Sequence, residues 1–410
     1  MDIIPIDIFK EIFLFCDFLT KIRFRQIKKF LYNYLQMIDF YYIEKKYLLK
    51  LTDDILINYK FIRYLNACAN PKIKDVSWMK NLKELDVSWN SGINQVGIIG
   101  LDLIKLNAYG NPKIKDVRWM KNLKELDASY DSGIDQLGIN GLDLIKLDVC
   151  NNPQIKYVNW MQNLKKLDAI GDSGIDQLGI NEMNLIKLNA HDNPKITDVS
   201  FMTNLKELNA SFGSRIDQLG IKRLDLIKLN IYNNLKITDV SWMTNLKELV
   251  ASISGIDQSG IKELDLIKLD VYGNPKITDV SWMNNLRELD ASGSSGINQL
   301  GIKGLNLIKL NTCNNPKITD VSFMKKNLKQ LNVSGYNCGI DQLGIKGLDL
   351  NKLNAHDNPK IKDASFMTNL KELRASGISG IDQMGIGGLN LIKLDVYKNP
   401  KIKELNYNNM

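Results

Sequence analysis

The stretch LIKLNAYGNPKI at residues 103–114 returns as LIKLDVYGNPKI at residues 266–277 and as LIKLDVYKNPKI at residues 391–402. The unit between returns is usually 41 residues long and contains two shorter repeats of 20 to 22 residues. Each short repeat has a leucine at its centre, and 17 such leucines follow one another from Leu65 to Leu394. Self-similarity at so short a period is typical of stacked repeats, so the pattern predicts one solenoid rather than several globular domains.

Apolar spacing around these repeat leucines predicts the path of each coil. Position −3, counted from the repeat leucine, is Leu in every repeat except the first, where it is Ile62. Position +2 is small or branched, with Thr312 as the polar exception, and an Ile follows in all 17 repeats. A short strand with two inward side chains, then a turn, then an irregular or 3-10 return accounts for this spacing. Neighbouring coils would then stack their strands into a parallel sheet.

An asparagine at position +5 recurs in the first repeat of every pair, and we interpret it as structural. A buried amide can satisfy backbone groups that a turn leaves unpaired. In the second repeat of each pair the same position varies, so we expect an asparagine ladder in every other coil only. The asparagines are Asn70, Asn111, Asn152, Asn193, Asn234, Asn274, Asn315, Asn358 and Asn399.

The pattern LxxLxLxxNxxI resembles the leucine-rich repeat, and its short length resembles the internalin and SDS22-like class. The return segment carries the matching residues Ile114, Asp116, Val117, Met120 and Leu123. This resemblance implies an α/β solenoid of about 17 coils over residues 62–410. Its parallel sheet would line a concave side, and its convex side would be irregular or 3-10 helical. Such a solenoid implies a scaffold that binds proteins.

Residues 1–45 lack the repeat and have helical spacing, with Pro5 near a helix start and apolar residues at Ile8, Phe9, Ile12 and Phe13. The segment IPIDIFKEIFLFC followed by FRQIKKFL resembles an F-box, the helical module that docks onto the adaptor Skp1. Asp7 matches the acidic site of the family's first helix, and Arg25, Ile27 and Lys29 match its basic stretch. The segment departs from the family at two residues: Ile4, before Pro5, replaces the Leu of the family's Leu-Pro, and Lys28 replaces its usual Cys.

The F-box resemblance implies a substrate receptor of an SCF-type ubiquitin ligase, with a Skp1-like adaptor as partner. The adaptor would contact Pro5, Ile8, Phe9, Ile12 and Phe13, and residues 46–61 would form a helical linker or cap. The alternative is a free-standing interaction scaffold whose N-terminal helices only shield the open end of the solenoid, which such arrays need.

The strand residues that alternate with buried ones would face outward and hold an unidentified target protein. Position −1 alternates Glu and Lys across most strand pairs, and position +1 is Asp or Asn in 15 of 17 repeats. Variation is concentrated at positions +3 and +4, where aromatic residues among small polar ones suit a protein interface. Drift at a solvent position is the alternative. The candidate residues on this concave face are Trp89, Tyr109, Tyr130, His191, Phe212, Tyr232, Tyr272, His356 and Tyr397.

Two further rows have a structural and a binding interpretation. Motifs such as Ser241-Trp242-Met243 place an aromatic residue on the convex side, where it packs along the back or forms a second interface. Lysines such as Lys113 and Lys276 lie at one rim and offer a sparse row of phosphate-binding groups.

Composition excludes several classes of protein. The net charge of +8 is mild for 410 residues and disfavours nucleic acid as the partner. We expect no membrane span and no secretion, so the cytoplasm is the expected location, that of the host if the chain is viral. The spread of His and Cys along the repeats predicts no metal site. Nucleophile–base sets and phosphate loops are absent from the sequence, so we expect no catalytic residues and no cofactor. We also expect the chain to be monomeric outside its complex.

Overall fold

The computed structural model describes residues 12–13, 16–26 and 37–403 of the chain. These residues belong to two compact units, residues 1–189 and residues 190–410. Both units repeat the same coil, in which a three-residue strand is followed by a turn and a return segment. The predicted leucine-rich-repeat solenoid with a parallel sheet is therefore confirmed.

Short helices precede the repeats, as predicted for the N-terminal segment. Helix α1 spans Phe18–Gln26, α2 spans Lys45–Leu48 and α3 spans Asp53–Leu56. The hydroxyl of Thr52 accepts a hydrogen bond from the Ile55 N–H at 3.3 Å and so caps α3. Among the described residues, no helix is both long and apolar enough to cross a bilayer.

The first unit holds eight parallel strands whose neighbours in sequence are hydrogen-bonded. Register pairs leucine with leucine, for example Leu85 with Leu106. The strands are β1 (Asp39–Phe40), β2 (Tyr64–Asn66), β3 (Glu84–Asp86), β4 (Lys105–Asn107), β5 (Glu125–Asp127), β6 (Lys146–Asp148), β7 (Lys166–Asp168) and β8 (Lys187–Asn189).

Strand β1 lies inside the segment that the sequence assigned to helices. Phe40 pairs with Leu65 and is 1% exposed, so a phenylalanine takes the place of the repeat leucine in this coil. Its ring packs edge-on against Tyr59, with 5.0 Å between centroids. A search for the leucine pattern does not find this coil because Phe40 lacks the Leu-x-x-Leu context.

The second unit holds ten strands in the same parallel arrangement, with leucine again opposite leucine. The strands are β9 (Glu207–Asn209), β10 (Lys228–Asn230), β11 (Glu248–Val250), β12 (Lys268–Asp270), β13 (Glu288–Asp290), β14 (Lys309–Asn311), β15 (Gln330–Asn332), β16 (Lys352–Asn354), β17 (Glu372–Arg374) and β18 (Lys393–Asp395).

Return segments are irregular or form single helical turns, as predicted. Helix α4 (Gln177–Ile180) is an α-helical turn capped by Asp176, whose carboxylate accepts the Gly179 N–H at 2.9 Å. The 3-10 turns are Val96–Ile98, Leu137–Ile139, Ser259–Ile261, Leu300–Ile302, Ser322–Met324 and Met384–Ile386.

The core of each unit consists of the repeat leucines and the apolar residues of the return. Sixteen of the 17 repeat leucines are at most 3% exposed, and Leu394 in the last coil is partly exposed. Met120 and Met243 of the aromatic-Met motifs point inward and are 0% exposed. Since one coil cannot cover its own apolar edge, burial of this core depends on the neighbouring coils.

Buried asparagine amides join consecutive coils, as predicted. Asn111 donates from Nδ2 to the carbonyls of Val87 at 2.7 Å and Ile93 at 3.3 Å, while its Oδ1 accepts the Lys113 N–H. The asparagine ladder runs in every other coil, as predicted, and in alternate coils a serine one residue later accepts a backbone N–H within its own coil. The hydroxyl of Ser132, for example, accepts the Ile134 N–H at 3.4 Å.

A glutamine row joins the return segments and was not predicted. Gln95 accepts the N–H groups of Lys115 and Asp116 at 2.7 and 2.9 Å and donates to the Asp116 carbonyl at 2.9 Å. Gln218 and Gln299 repeat this arrangement in the second unit. The signal was the recurring IDQ or INQ motif of the second repeats.

Two tryptophans of the return segments, Trp119 and Trp242, have a structural role. The indole N–H of Trp119 donates to the Leu101 carbonyl at 3.0 Å, and Trp242 donates to the Leu224 carbonyl at 3.0 Å. Each indole therefore satisfies a carbonyl of the preceding coil, which supports the packing interpretation of this row.

A glycine in the return segment of the second repeats sets how closely two neighbouring turns approach. A Cβ on Gly301 would lie 2.2 Å from the Thr278 carbonyl oxygen, and the same distance is 2.0 Å for Gly138 and Lys115. Through this close approach the Gly301 carbonyl accepts the Val280 N–H at 3.0 Å. Alanine cannot replace this glycine without moving backbone.

We predict that Gly301→Ala lowers the free energy of unfolding by about 2–3 kcal/mol, because overpacking against rigid backbone shifts both turns. The matched control is Lys303→Ala two residues on, where the side chain is exposed and φ is −60°. Urea titrations followed by circular dichroism measure both variants. Equal midpoints for the two variants would contradict the close-approach argument.

Candidate binding surface on the outer face of the sheet

Charged side chains at positions −1 and +1 cover the outer face of the sheet, the face turned away from the core. Lys228 lies 2.8 Å from Glu248 on the next strand, and Lys352 lies 2.7 Å from Glu372. All four side chains are at least 39% exposed, so each ion pair contributes little to stability. The alternation mainly avoids repulsion between neighbouring strands.

Carboxylates are crowded at position +1 of the first unit. Asp127 lies opposite Asp148, which lies opposite Asp168 on the following strand. Burial raises the pKa of Asp127 to about 6, and the neighbouring Asp148 adds to the effect, although Ser129 donates two hydrogen bonds to the Asp127 carboxylate. Burial and Asp148 likewise raise the pKa of Asp168.

Position +4 is left-handed in all 17 repeats, with φ between +50° and +87°. Eleven repeats place Gly, Asn or Asp there, the residues that tolerate this conformation. Six do not, and a bulky side chain at positive φ is a strained outlier. Drift alone is therefore a poor explanation for the large residues at this position. The six are Ala69, Trp89, Tyr130, Phe212, Ile253 and Lys398.

A row of three aromatic rings lies on the first unit. Trp89 and Tyr109 have ring centroids 4.8 Å apart, and Tyr109 and Tyr130 have the same separation. Trp89 and Tyr130 occupy position +4, whereas Tyr109 occupies position +3, so the row alternates between two positions. Trp89 is 55% and Tyr130 is 47% exposed, which leaves ring surface open to a partner. We call these three residues the first aromatic row.

A second aromatic row lies on the second unit. The ring of His191 lies 4.8 Å from that of Phe212, which lies 4.7 Å from that of Tyr232, both edge-on. The Nδ1 atom of His191 is 2.7 Å from the Ser211 hydroxyl. The structure thus brings six of the nine sequence-predicted face residues together in two groups of three.

The other three predicted residues stand apart from these rows. Tyr272 is 44% exposed and lies over Gly293, the glycine at position +4 of the next repeat. His356 Nε2 is 2.9 Å from Asp357 Oδ2, and its Nδ1 is 2.9 Å from the Ser376 hydroxyl. Tyr397 is 72% exposed in the last coil, with the Lys398 ammonium 5.2 Å from its ring centroid.

The contacts of His356 resemble part of a hydrolase triad but lack its accessibility. Ser376 is 2% exposed, so its hydroxyl has no access to a substrate carbonyl. Burial also raises the pKa of the Cys150 and Cys338 thiols, which keeps both protonated at neutral pH. Within the described ranges, no group of three His, Cys, Asp or Glu side chains could hold a metal ion.

Shallow troughs run along the outer face of each unit. In the first unit a trough of about 210 Å³ is lined by Tyr41, Lys105, Glu125, Asp127 and Asp148. Burial raises the pKa of Tyr41 to about 12, and the nearby Asp86 and Glu84 add to the effect. The second unit has a larger trough of about 430 Å³ with a mixed lining that includes Lys268, Glu288 and Asn311.

Only part of the predicted adaptor surface is described. Ile12 is 42% exposed and Phe13 is 4% exposed, so of these two only Ile12 presents a side chain to a partner. Arg25 of the predicted basic stretch is buried, with its guanidinium 5.3 Å from the Tyr59 ring centroid. Pro5, Ile8 and Phe9 lie outside the described residues.

We predict that exchanging residues at position +4 between two neighbouring repeats shifts stability in opposite directions. Ile253→Asn relieves a β-branched residue at φ +50° and should stabilise by about 1 kcal/mol, whereas Asn233→Ile should destabilise by a similar amount. Chemical unfolding of both variants measures the difference. Loss of stability in Ile253→Asn would show that the side chain's packing outweighs the backbone strain.

We predict that Asp127 makes the fold less stable as pH rises. Its pKa is about 6 in the folded chain against 3.8 for the ordinary group, so stability is full below pH 4 and is lost as pH rises through 6. Asp127→Asn keeps the acceptor for Ser129 and should add about 1–2 kcal/mol at pH 7 but almost nothing at pH 4. Urea midpoints at both pH values test this, and a pH-independent difference would contradict it.

Comparison with known proteins gives structural likenesses alone. No protein-family model matches the chain, and no curated protein matches it in sequence. The functional domain of InlJ from Listeria monocytogenes is 18% identical with a TM-score of 0.47, covering 79% of this chain and 70% of that one. TLR13, solved with ssRNA13, is 19% identical with a TM-score of 0.47, covering 88% and 59% respectively.

A third likeness is the leucine-rich-repeat protein LIC12759 of Leptospira interrogans, 18% identical with a TM-score of 0.35, covering 87% of this chain and 90% of that one. All three identities are below 20%. The parallel register and the buried asparagines, described above, establish the solenoid of this chain independently of these likenesses. The chain is a leucine-rich-repeat solenoid with large aromatic residues on the outer face of its sheet.

Proposed function

We propose that the chain is a non-catalytic protein-binding scaffold that serves as substrate receptor of an SCF-type ubiquitin ligase. The observation that carries the binding role is the placement of exposed aromatic residues at strained backbone positions. Trp89, Tyr130 and Phe212 stand where Gly, Asn or Asp would fit without strain. Strain of this kind is typical of functional sites, where a gain in binding offsets a loss in stability.

The adaptor role rests on the resemblance of residues 1–45 to an F-box and on its place ahead of the repeats. A Skp1-like adaptor would bind Pro5, Ile8, Phe9 and Ile12 through their apolar side chains. The outer face of the sheet would hold the target protein near the enzyme that carries ubiquitin. Holding both components raises the effective concentration of the target, which accelerates transfer without any catalytic residue in this chain.

The alternative is a free-standing scaffold in which the N-terminal helices are only a cap. Burial of Phe13 and the contact of Arg25 with Tyr59 favour it, because both side chains pack within the chain. The two functions are compatible, since a helix can cover the first coil with one side and dock a partner with the other. In both, we place the chain in the cytoplasm, without membrane or nucleic-acid partner, as a monomer outside its complex.

Binding of the full chain to a purified Skp1 protein tests the adaptor role by isothermal titration calorimetry. We predict that Ile8→Asp combined with Ile12→Asp weakens the affinity about 100-fold, because charged groups would replace apolar contacts in a desolvated interface. The matched control is Ile57→Asp, at an isoleucine that is 59% exposed and outside the F-box-like segment.

Three outcomes decide between the alternatives. Binding by the parent chain and by Ile57→Asp, with loss in the double variant, supports the receptor role. No binding by the parent chain, or equal binding by all three proteins, supports the free-standing scaffold. Circular dichroism of each variant verifies that the repeats remain folded.

A further inference from the structure

The two aromatic rows differ in the charge beside them. On strands β3 to β5, next to the first row, the outward side chains at positions −1 and +1 include four carboxylates and one ammonium, a net charge of −3. On strands β9 and β10, next to the second row, position +1 is Asn209 and Asn230 instead. The local charge of the first row is opposite to the net charge of +8 of the whole chain.

A cation already occupies part of this surface. The Lys105 ammonium lies 3.7 Å from Glu125 Oε2 and 5.9 Å from the centroid of the Tyr41 ring. This one side chain thus uses both attractions that the surface offers, a carboxylate and an aromatic face. Three carboxylates remain beyond that ion pair. Two of them, Asp86 and Asp127, come three residues before the exposed rings of Trp89 and Tyr130 in the same coils.

The carboxylates beyond that pair are positioned by neutral donors. Asp86 accepts hydrogen bonds from the Ser88 N–H at 2.9 Å and from Asn107 at 3.1 Å. Asp127 is held by Ser129, as described above. These donors fix the direction of the carboxylates without neutralising their charge, so the surface is preorganised for a positively charged group.

We propose that the first aromatic row and the carboxylates beside it bind a basic segment of a partner protein. An arginine side chain would lie over the ring of Trp89 or of Tyr130 and donate to Glu84 or Asp127. The proposal rests on the proposed function as a protein-binding scaffold and adds the chemistry of the target. Arginine fits better than lysine because its flat guanidinium stacks on tilted rings and donates in two directions.

Fluorescence anisotropy with labelled ten-residue peptides tests this on the full chain. The probes are the alternating peptides (Gly-Arg)5, (Gly-Lys)5, (Gly-Gln)5 and (Gly-Glu)5. We predict a dissociation constant on the order of 10 µM for the arginine peptide, several-fold weaker binding of the lysine peptide, and no measurable binding of the other two. The net positive charge of the chain opposes non-specific attraction of the basic probes.

Two pairs of variants locate the binding. Trp89→Gly combined with Tyr130→Gly should weaken arginine-peptide binding about 10-fold, and Glu84→Gln combined with Asp127→Asn should do the same. The matched controls lie on the second unit: Ile253→Gly relieves the same backbone strain, and Asp270→Asn removes a carboxylate at the same position +1. Glycine occupies position +4 in six repeats, so the glycine variants keep the fold, which circular dichroism verifies.

Equal binding of the arginine and glutamine peptides would overturn the proposal, and so would tighter binding of the glutamate peptide. Equal weakening by the control variants would overturn it as well. Failure here is separable from failure of the adaptor role, because the peptides and Skp1 are titrated separately. Skp1 binding with no arginine-peptide binding rejects only the basic segment, and the reverse result rejects only the adaptor.

Discussion

The close stacking of one coil on the next is the constraint on which the structure depends. Each coil leaves an apolar edge and several backbone groups uncovered, and only its neighbours can cover them. Asn111 reaches two carbonyls of the preceding coil, and Gln95 reaches backbone groups of the following one. Gly301 lets the return turns approach closely enough for a direct hydrogen bond. These contacts repeat because stacking places equivalent residues side by side.

Close stacking allows little variation among the buried side chains of a coil. On the outer face it restricts only the backbone conformation. Position +4 is left-handed in every repeat, yet at Trp89, Tyr130 and Phe212 its side chain is exposed. Glycine, asparagine or aspartate satisfies the backbone there at little cost, and most repeats have one of them. Trp89, Tyr130 and Phe212 cost about 1 kcal/mol or more each in strain, and four contacts between rings contribute about 0.5–1.5 kcal/mol per pair. Strain and ring contacts are therefore of similar size at these exposed positions, and the strain is tolerated because the rings pack in rows.

The sequence predicted the core of this fold because the core is periodic. Leucine at positions −3 and 0 and asparagine at position +5 fixed the strand, the turn and the stacking. Phe40 was not predicted to belong to a coil because it stands where the other coils have the repeat leucine and has no Leu three residues earlier. The row of serines was not predicted because a serine such as Ser132 lies one residue later in its repeat than the asparagine does. An alignment at fixed positions therefore compares Asn111 with Asp131 and not with Ser132.

The candidate site was predictable residue by residue but not as a surface. Trp89, Tyr109 and Tyr130 were each identified from variation, in two separate positions of the repeat. Their contact depends on the left-handed turn at position +4, which brings that side chain beside position +3 of the adjacent coil. Variation along one position cannot reveal a row that alternates between two. Only the backbone conformation connects them.

Position +1 is nearly uniform in side-chain shape but differs in charge from one repeat to the next. Asp and Asn alternate there with almost no change in shape, and by pattern alone the whole row is structural. Beside the first aromatic row, however, burial and crowding of Asp127 and Asp148 make each added negative charge costly. Beside the second, Asn209 and Asn230 remove that cost. At Asp127 the proposed basic segment would offset this cost, because a guanidinium near the carboxylate favours its charged form.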